Sequence, residues 1–224
     1  MDTGFVLFTN LKISKFMQKY DSIIFDIDGT LWNASKASSN GWNVYLTKKG
    51  YHATVKKEDI ESVAGCIFEE CVKKLLAHIN EPLPSLLKNL NHHETEAVKS
   101  EGGVFYNKVK ELMPRLANKY KLYLVSNCQE WYMNVFFEKS NFKNLFADWD
   151  CHGRLKRSKA DNIKDIIKRN NLQNPVYIGD TMIDKNASSE AGIDFIHARY
   201  GHQKIESEMA FNSFEELAHY LLCQ

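Results

Sequence analysis

Two aspartates, Asp26 and Asp28, stand two positions apart in the stretch IIFDIDGTLW, Ile23 to Trp32. Side chains at i and i+2 of an extended chain point the same way. The two carboxylates therefore share a face, with Ile27 turned from them. Like charges held together call for a cation between them, a shared proton, or separate acid and nucleophile roles. A solvated Asp-Gly turn is the simpler alternative, and the rest of the chain decides between them.

Further polar residues fall at comparable places. KLYLVS ends in Ser126, followed by Asn127; PVYIGD ends in Asp180, followed by Thr181 and, further along the loop, Asp184. Between these stretches Lys159 opens a helix whose expected N-cap is Ser158, with Asp161 as the capping-box acid. Helix N-termini favour anions through their free N–H groups and the macrodipole. A lysine there, with a serine and a backbone turn opposite, makes a phosphate cradle. Asp26, Asp28 and Asp180 could gather a Mg²⁺, which prefers hard oxygen ligands.

The elements that must position these groups follow from periodicity. Ile23, Ile24 and Phe25 read as a buried strand, as do KLYLVS, PVYIG and DFIHA. Helices are expected over NKVKELMPRLANKY, EWYMNVFFEKS, SKADNIKDIIKRNN and SFEELAHYLL, the last with a Ser213–Glu216 capping box. Strands alternating with helices predict an α/β fold, a Rossmann-like parallel sheet with helices on both faces, and sites at the carboxyl ends of its strands. Residues 33–103 differ. They show no convincing strand, carry a helical stripe at Trp42, Tyr45 and Leu46, and suggest a further helix starting at a Thr54 N-cap. They read as an inserted α-helical cap, with 1–32 and 104–224 forming the core and Gly102-Gly103 a natural hinge.

Composition bounds the rest. The 224 residues are 44% hydrophobic and 25% charged with net charge +1, which points to neither a nucleic-acid nor an acidic-membrane surface. No apolar run approaches a membrane span. GFVLF is too short for a signal segment, and residues 1–16 read as an extension before the first strand. The five cysteines show no C-x-x-C pair, so a disulfide framework or zinc site is not expected, and a cytoplasmic setting is the default. His52, His78, His92 and His93 match no metal spacing and read as surface residues. Residues 33–103 hold nine lysines, no arginine and nine acids, which excludes a basic collector of polyanions.

DIDGTL (26–31), SN (126–127), Lys159 and GDTMID (179–184) resemble, in order, the four signature motifs of the haloacid dehalogenase-like phosphohydrolase superfamily. The helical insert is similar to the mobile cap of its phosphoglycolate phosphatase and β-phosphoglucomutase branch. Arg154, Lys156 and Arg157 also lie near the third motif; capping context and spacing before Asp180 select Lys159. The resemblance implies that Asp26 attacks phosphorus and that Asp28 serves as acid and base. It implies that Ser126, Asn127 and Lys159 hold the phosphoryl group. Mg²⁺ would bind Asp26, the Asp28 carbonyl and Asp180, with Asp184 in support. The implied protein is a monomeric phosphatase of a small phosphorylated metabolite. A sugar-phosphate mutase on the same core is the nearest rival, and a phospho-aspartate switch without efficient turnover is another. Dehalogenation is disfavoured, because members of that type lack the second aspartate. The cation and lysine have a physical purpose: a carboxylate at ~4 Å from a phosphate meets roughly 4 kcal/mol of repulsion per charge pair at an effective dielectric near 20.

Overall fold

The computed structural model describes residues 19–224. The expected extension over 1–16 lies outside them. Six parallel strands form the main sheet: β1 (Ser22–Phe25), β4 (Lys121–Ser126), β5 (Phe146–Cys151), β6 (Pro175–Gly179), β7 (Asp194–Ala198) and β8 (Ala210–Phe211). Their order is β5-β4-β1-β6-β7-β8, so β1 lies in the middle with β4 and β6 as its neighbours.

Alternation sends successive residues of each inner strand to opposite faces. Ile23, Phe25, Leu122, Leu124, Val176 and Ile178 pack with α5 (Val109–Ala117), α6 (Glu130–Ser140) and α10 (Phe214–Leu222). Ile24, Tyr123, Val125 and Tyr177 pack on the other side with α8 (Lys159–Arg169) and α9 (Met182–Ala191). Helices on both faces are what the continuous apolar strands require. Pro114 lies inside α5 without ending it. Among the described residues no helix is long and apolar enough to cross a membrane.

The insert is helical: α1 (Ser35–Lys48), α2 (Lys57–Ser62), α3 (Phe68–Leu75) and α4 (Leu83–Glu101). Trp42, Tyr45, Leu46, Val72, Leu86 and Leu90 form a separate apolar cluster within it. Two details correct the sequence reading. Thr54 caps nothing: α2 begins after Lys56, whose N–H is accepted by Asp59 at 2.7 Å. The chain then breaks at Gly65, where φ is +82°, so the helix expected from Thr54 onward is two short ones. The insert also starts and ends on a ladder, because β2 (Trp32–Asn33) pairs antiparallel with β3 (Val104–Phe105). A short turn, α7 (His152–Leu155), links β5 to the approach of α8.

Candidate active site

The strand order decides which side chains meet. Asp26 directly follows β1, its N–H donating to Ile178 O at 2.9 Å, so the ladder fixes it up to that residue. Ser126 closes β4 on one side and Asp180 follows β6 on the other. Lys159 is the first residue of α8, whose N-cap Ser158 accepts from the Asp161 N–H at 3.0 Å. The Lys159 ammonium reaches across to Asp26 Oδ1 at 3.2 Å and Asp184 Oδ1 at 2.6 Å. Burial works against its charge, and the two carboxylates outweigh it, raising its pKa above the usual lysine range. Burial pushes the Asp26 carboxyl up, and Lys159 opposes it.

Asp184 is not on a loop, as its spacing suggested, but in the first turn of α9. Thr181 is the N-cap, and together they form a capping box. Asp184 Oδ2 accepts from the Thr181 N–H (2.9 Å), the Thr181 hydroxyl (2.6 Å) and the Asp180 N–H (3.2 Å); Oδ1 accepts from Lys159 and from the Tyr177 hydroxyl (3.3 Å). Asp184 therefore locks the turn that aims Asp180 and steers Lys159.

Oxygens of Asp26, Asp180 and Asp184 lie within 4.8 Å of one another, a possible metal-binding group. Three carboxylates here face one lysine, with His202 against Asp180 on the outer side. Asp180 Oδ1 is fully buried and has no hydrogen-bond partner among the described residues. An orphaned buried carboxylate oxygen is costly unless a cation completes it. The donor set, all oxygen, fits a hard divalent ion such as Mg²⁺. The Asp28 side chain is not part of this group.

Asp28 instead faces a cavity of about 120 Å³ that also touches Asp26, Ser126, Asn127 and Lys159. It is half-buried. Burial raises its carboxyl to about 6, with a hydrogen bond from the Tyr132 hydroxyl pulling the other way. Asn127 lines the cavity, but its amide donates to Gly65 O at 2.7 Å, tying the core to the α2–α3 loop. Trp42, Tyr45 and Leu46 are all insert core, and of the three Trp42 also lines the cavity. The nearby Cys128 is half-buried in the same wall.

Tyr132, His202 and Glu94 escaped the sequence reading. Tyr132 lies within EWYMNVFFEKS, which reads only as a helix. His202 follows β7 in RYGHQK, and its N–H and Nδ1 lie 2.7 and 2.9 Å from Asp180 Oδ2. Burial lowers its pKa, but Asp180 outweighs burial and holds it above the ordinary histidine value. The available signal was its position just beyond the carboxyl end of the strand next to β6. Glu94 carries no signal beyond a buried position on α4.

Residues 23–198 match the family described as haloacid dehalogenase-like hydrolase. No curated protein matches the chain. Among solved structures it is similar to a predicted phosphoglycolate phosphatase from Haemophilus somnus 129PT (18% identity, 91% of this chain and 99% of that one, TM-score 0.78). It is also similar to a haloacid dehalogenase-like family hydrolase from Streptococcus pneumoniae (18%, 91% and 100%, 0.76). A third is a HAD-superfamily hydrolase, subfamily IA, variant 1, from Geobacter sulfurreducens PCA (12%, 93% and 100%, 0.71). At these identities the structural likeness speaks to the fold.

Proposed function

Because the chain belongs to the haloacid dehalogenase-like hydrolase family, we propose that it is a phosphatase of small phosphorylated metabolites, dependent on Mg²⁺ and resembling the phosphoglycolate phosphatase branch. The observation that carries this is the buried Asp26 carboxylate. It is held by Lys159, lies beside the orphaned Asp180 oxygen, and opens with Asp28 into one cavity.

In the first step an Asp26 oxygen forms a bond to phosphorus as the bond to the leaving oxygen breaks. Asp28 gives that oxygen its proton, and the alcohol departs. In the second step Asp28 takes a proton from water, the water oxygen bonds to phosphorus, and the Asp26 carboxylate is released. Ser126 and Lys159 hold the phosphoryl oxygens; Asn127 bridges to the insert and lines the same wall. Asp26, Asp180 and the Asp28 carbonyl would hold Mg²⁺, with Asp184 bracing the turn. The ion would neutralise charge on the attacking and transferring groups. Residues 33–103 act as a cap that excludes water.

A sugar-phosphate mutase would use the same core residues; release of free phosphate rather than an isomerised sugar phosphate separates the two readings. The test is phosphate release from a panel of phosphomonoesters. Chelating divalent metal should stop it and Mg²⁺ should restore it, while circular dichroism shows the chelated protein still folded. Release that persists without metal, or that needs Zn²⁺, would contradict the all-oxygen site.

A further inference from the structure

The cavity wall opposite Asp26 comes from the insert, and its chemistry is one-sided. Glu94, on α4, is buried. Its Oε2 accepts from the Trp42 indole N–H at 2.9 Å, and Ser38 lies alongside. Among the described residues no Lys, Arg or His pairs with it. Burial pushes its carboxyl up. Trp42, Phe68, Trp131 and Tyr132 supply aromatic surface around the same space. Trp42 and Phe68 meet edge to face at 5.9 Å, and Trp131 and Tyr132 at 5.5 Å. Lys159 is the only lysine among the described lining residues, no arginine lines the cavity, and that lysine is engaged by Asp26 and Asp184.

A leaving group with a carboxylate or a second phosphate would meet Glu94 with no free cation to offset it, because Lys159 is held by Asp26 and Asp184 and His202 by Asp180. An indole N–H needs an acceptor, but a neutral amide or hydroxyl would serve without the cost of burying a carboxylate unpaired, which is several kcal/mol after relaxation in general. A carboxylate among aromatic faces suits a small cation, by ion pairing and by attraction to the ring faces. The volume is well below the roughly 300–1,000 Å³ of ordinary small-molecule pockets, so the group beyond the phosphate is a few heavy atoms long.

We infer that the phosphate ester hydrolysed here carries a small cationic leaving group, a short amino alcohol, with Glu94 recognising its ammonium. The inference rests on the phosphatase reading for its chemistry, and on the cavity alone for its specificity.

Binding is measured by calorimetry on Asp26→Asn protein with Mg²⁺, so that no turnover intervenes. The probes are 2-aminoethyl phosphate, its neutral isostere 2-hydroxyethyl phosphate, and phosphoglycolate. The amine should bind about tenfold tighter than the hydroxyl isostere, the scale of one desolvated cation–π or charge-assisted contact, and phosphoglycolate should bind weakest. Adding Glu94→Gln should erase most of that preference. Equal binding of the two isosteres, or a preference that survives Glu94→Gln, would overturn the assignment. If the Gln variant does not fold, the isostere comparison decides alone. Hydrolysis of p-nitrophenyl phosphate by the unaltered protein separates the two claims. A protein that prefers the amine but hydrolyses no phosphomonoester keeps the cavity assignment and loses the phosphatase reading. One that hydrolyses p-nitrophenyl phosphate but prefers the hydroxyl or glycolate ester does the reverse.

Discussion

Asp28 and Asp26 share a sequence motif but not an environment. Asp26 is buried against a lysine; Asp28 faces the cavity and a tyrosine hydroxyl, and its carboxyl is raised to about 6. A group near neutrality can both give and take a proton. Asp28→Asn should therefore cost alkyl phosphates about 10²–10⁴-fold in turnover, while p-nitrophenyl phosphate, whose leaving group needs no proton, is partly spared in its first step. Stopped-flow comparison of the two substrates checks this; equal losses would make Asp28 structural. A second titrating residue lies in the insert. The Cys66 thiol is drawn down to about 6 by a hydrogen bond from Cys71, against burial, with Lys74 Nζ at 3.0 Å from its sulfur. An ordinary thiol becomes thiolate near pH 8.5. Cys66 alkylation should thus level off above pH 7, and Lys74→Met should move the rise to higher pH, as peptide mass spectrometry would report. The grouping of Asp26, Asp28, Ser126, Lys159 and Asp180 could be anticipated because each falls at or just past a strand end or at a helix start. Tyr132, His202 and Glu94 could not be, because their importance lies in what they touch across the fold.

At the scale of elements, the α2–α3 loop seats the insert on the core. A Cβ at Gly65 would lie 2.7 Å from Thr181 Oγ1, and φ there is +82°. Left-handed backbone costs a side-chain-bearing residue about 1–2 kcal/mol, and here unseating the loop relieves both strain and clash. Gly65→Ala should lower kcat/KM by roughly tenfold, the equivalent of about 1.4 kcal/mol. Gly50→Ala is the control: its φ is +75°, but a Cβ there meets nothing within 4 Å, so its kcat/KM should stay at the unaltered value. The long buried strands and the amphipathic α6, α8 and α10 were readable from period alone. β5 was not, since Asp148 and Asp150 interrupt it. Arg169 of α8 offsets both, bonding Asp148 Oδ2 at 2.7 Å and pairing with Asp150. That compensation comes from another element, which no local window contains. The break at Gly65 was hidden for the same reason: the apolar spacing of Ile60, Val63 and Ile67 runs straight across it.

In the whole molecule, the order β4-β1-β6 brings Ser126, Asp26 and Asp180 to one edge of the sheet although more than fifty residues separate each from the next along the chain. A parallel sheet with crossover helices makes this the default place for a site, so the four separated motifs point to one place. The helical character of the insert was legible, but its closeness to Asp28, through Trp42 and Glu94, depends on packing between separate apolar clusters. The proposed chemistry depends on Asp26 carrying the phosphoryl group. The direct measurement is to mix Asp28→Asn protein with p-nitrophenyl phosphate and Mg²⁺, quench in acid within one turnover, and map the peptides by mass. The aspartyl-phosphate mechanism predicts one phosphoryl group on Asp26, formed with the burst of p-nitrophenol and absent when Asp26→Asn is added. p-Nitrophenol released with Asp26 unmodified, or with phosphate on another side chain, would contradict it.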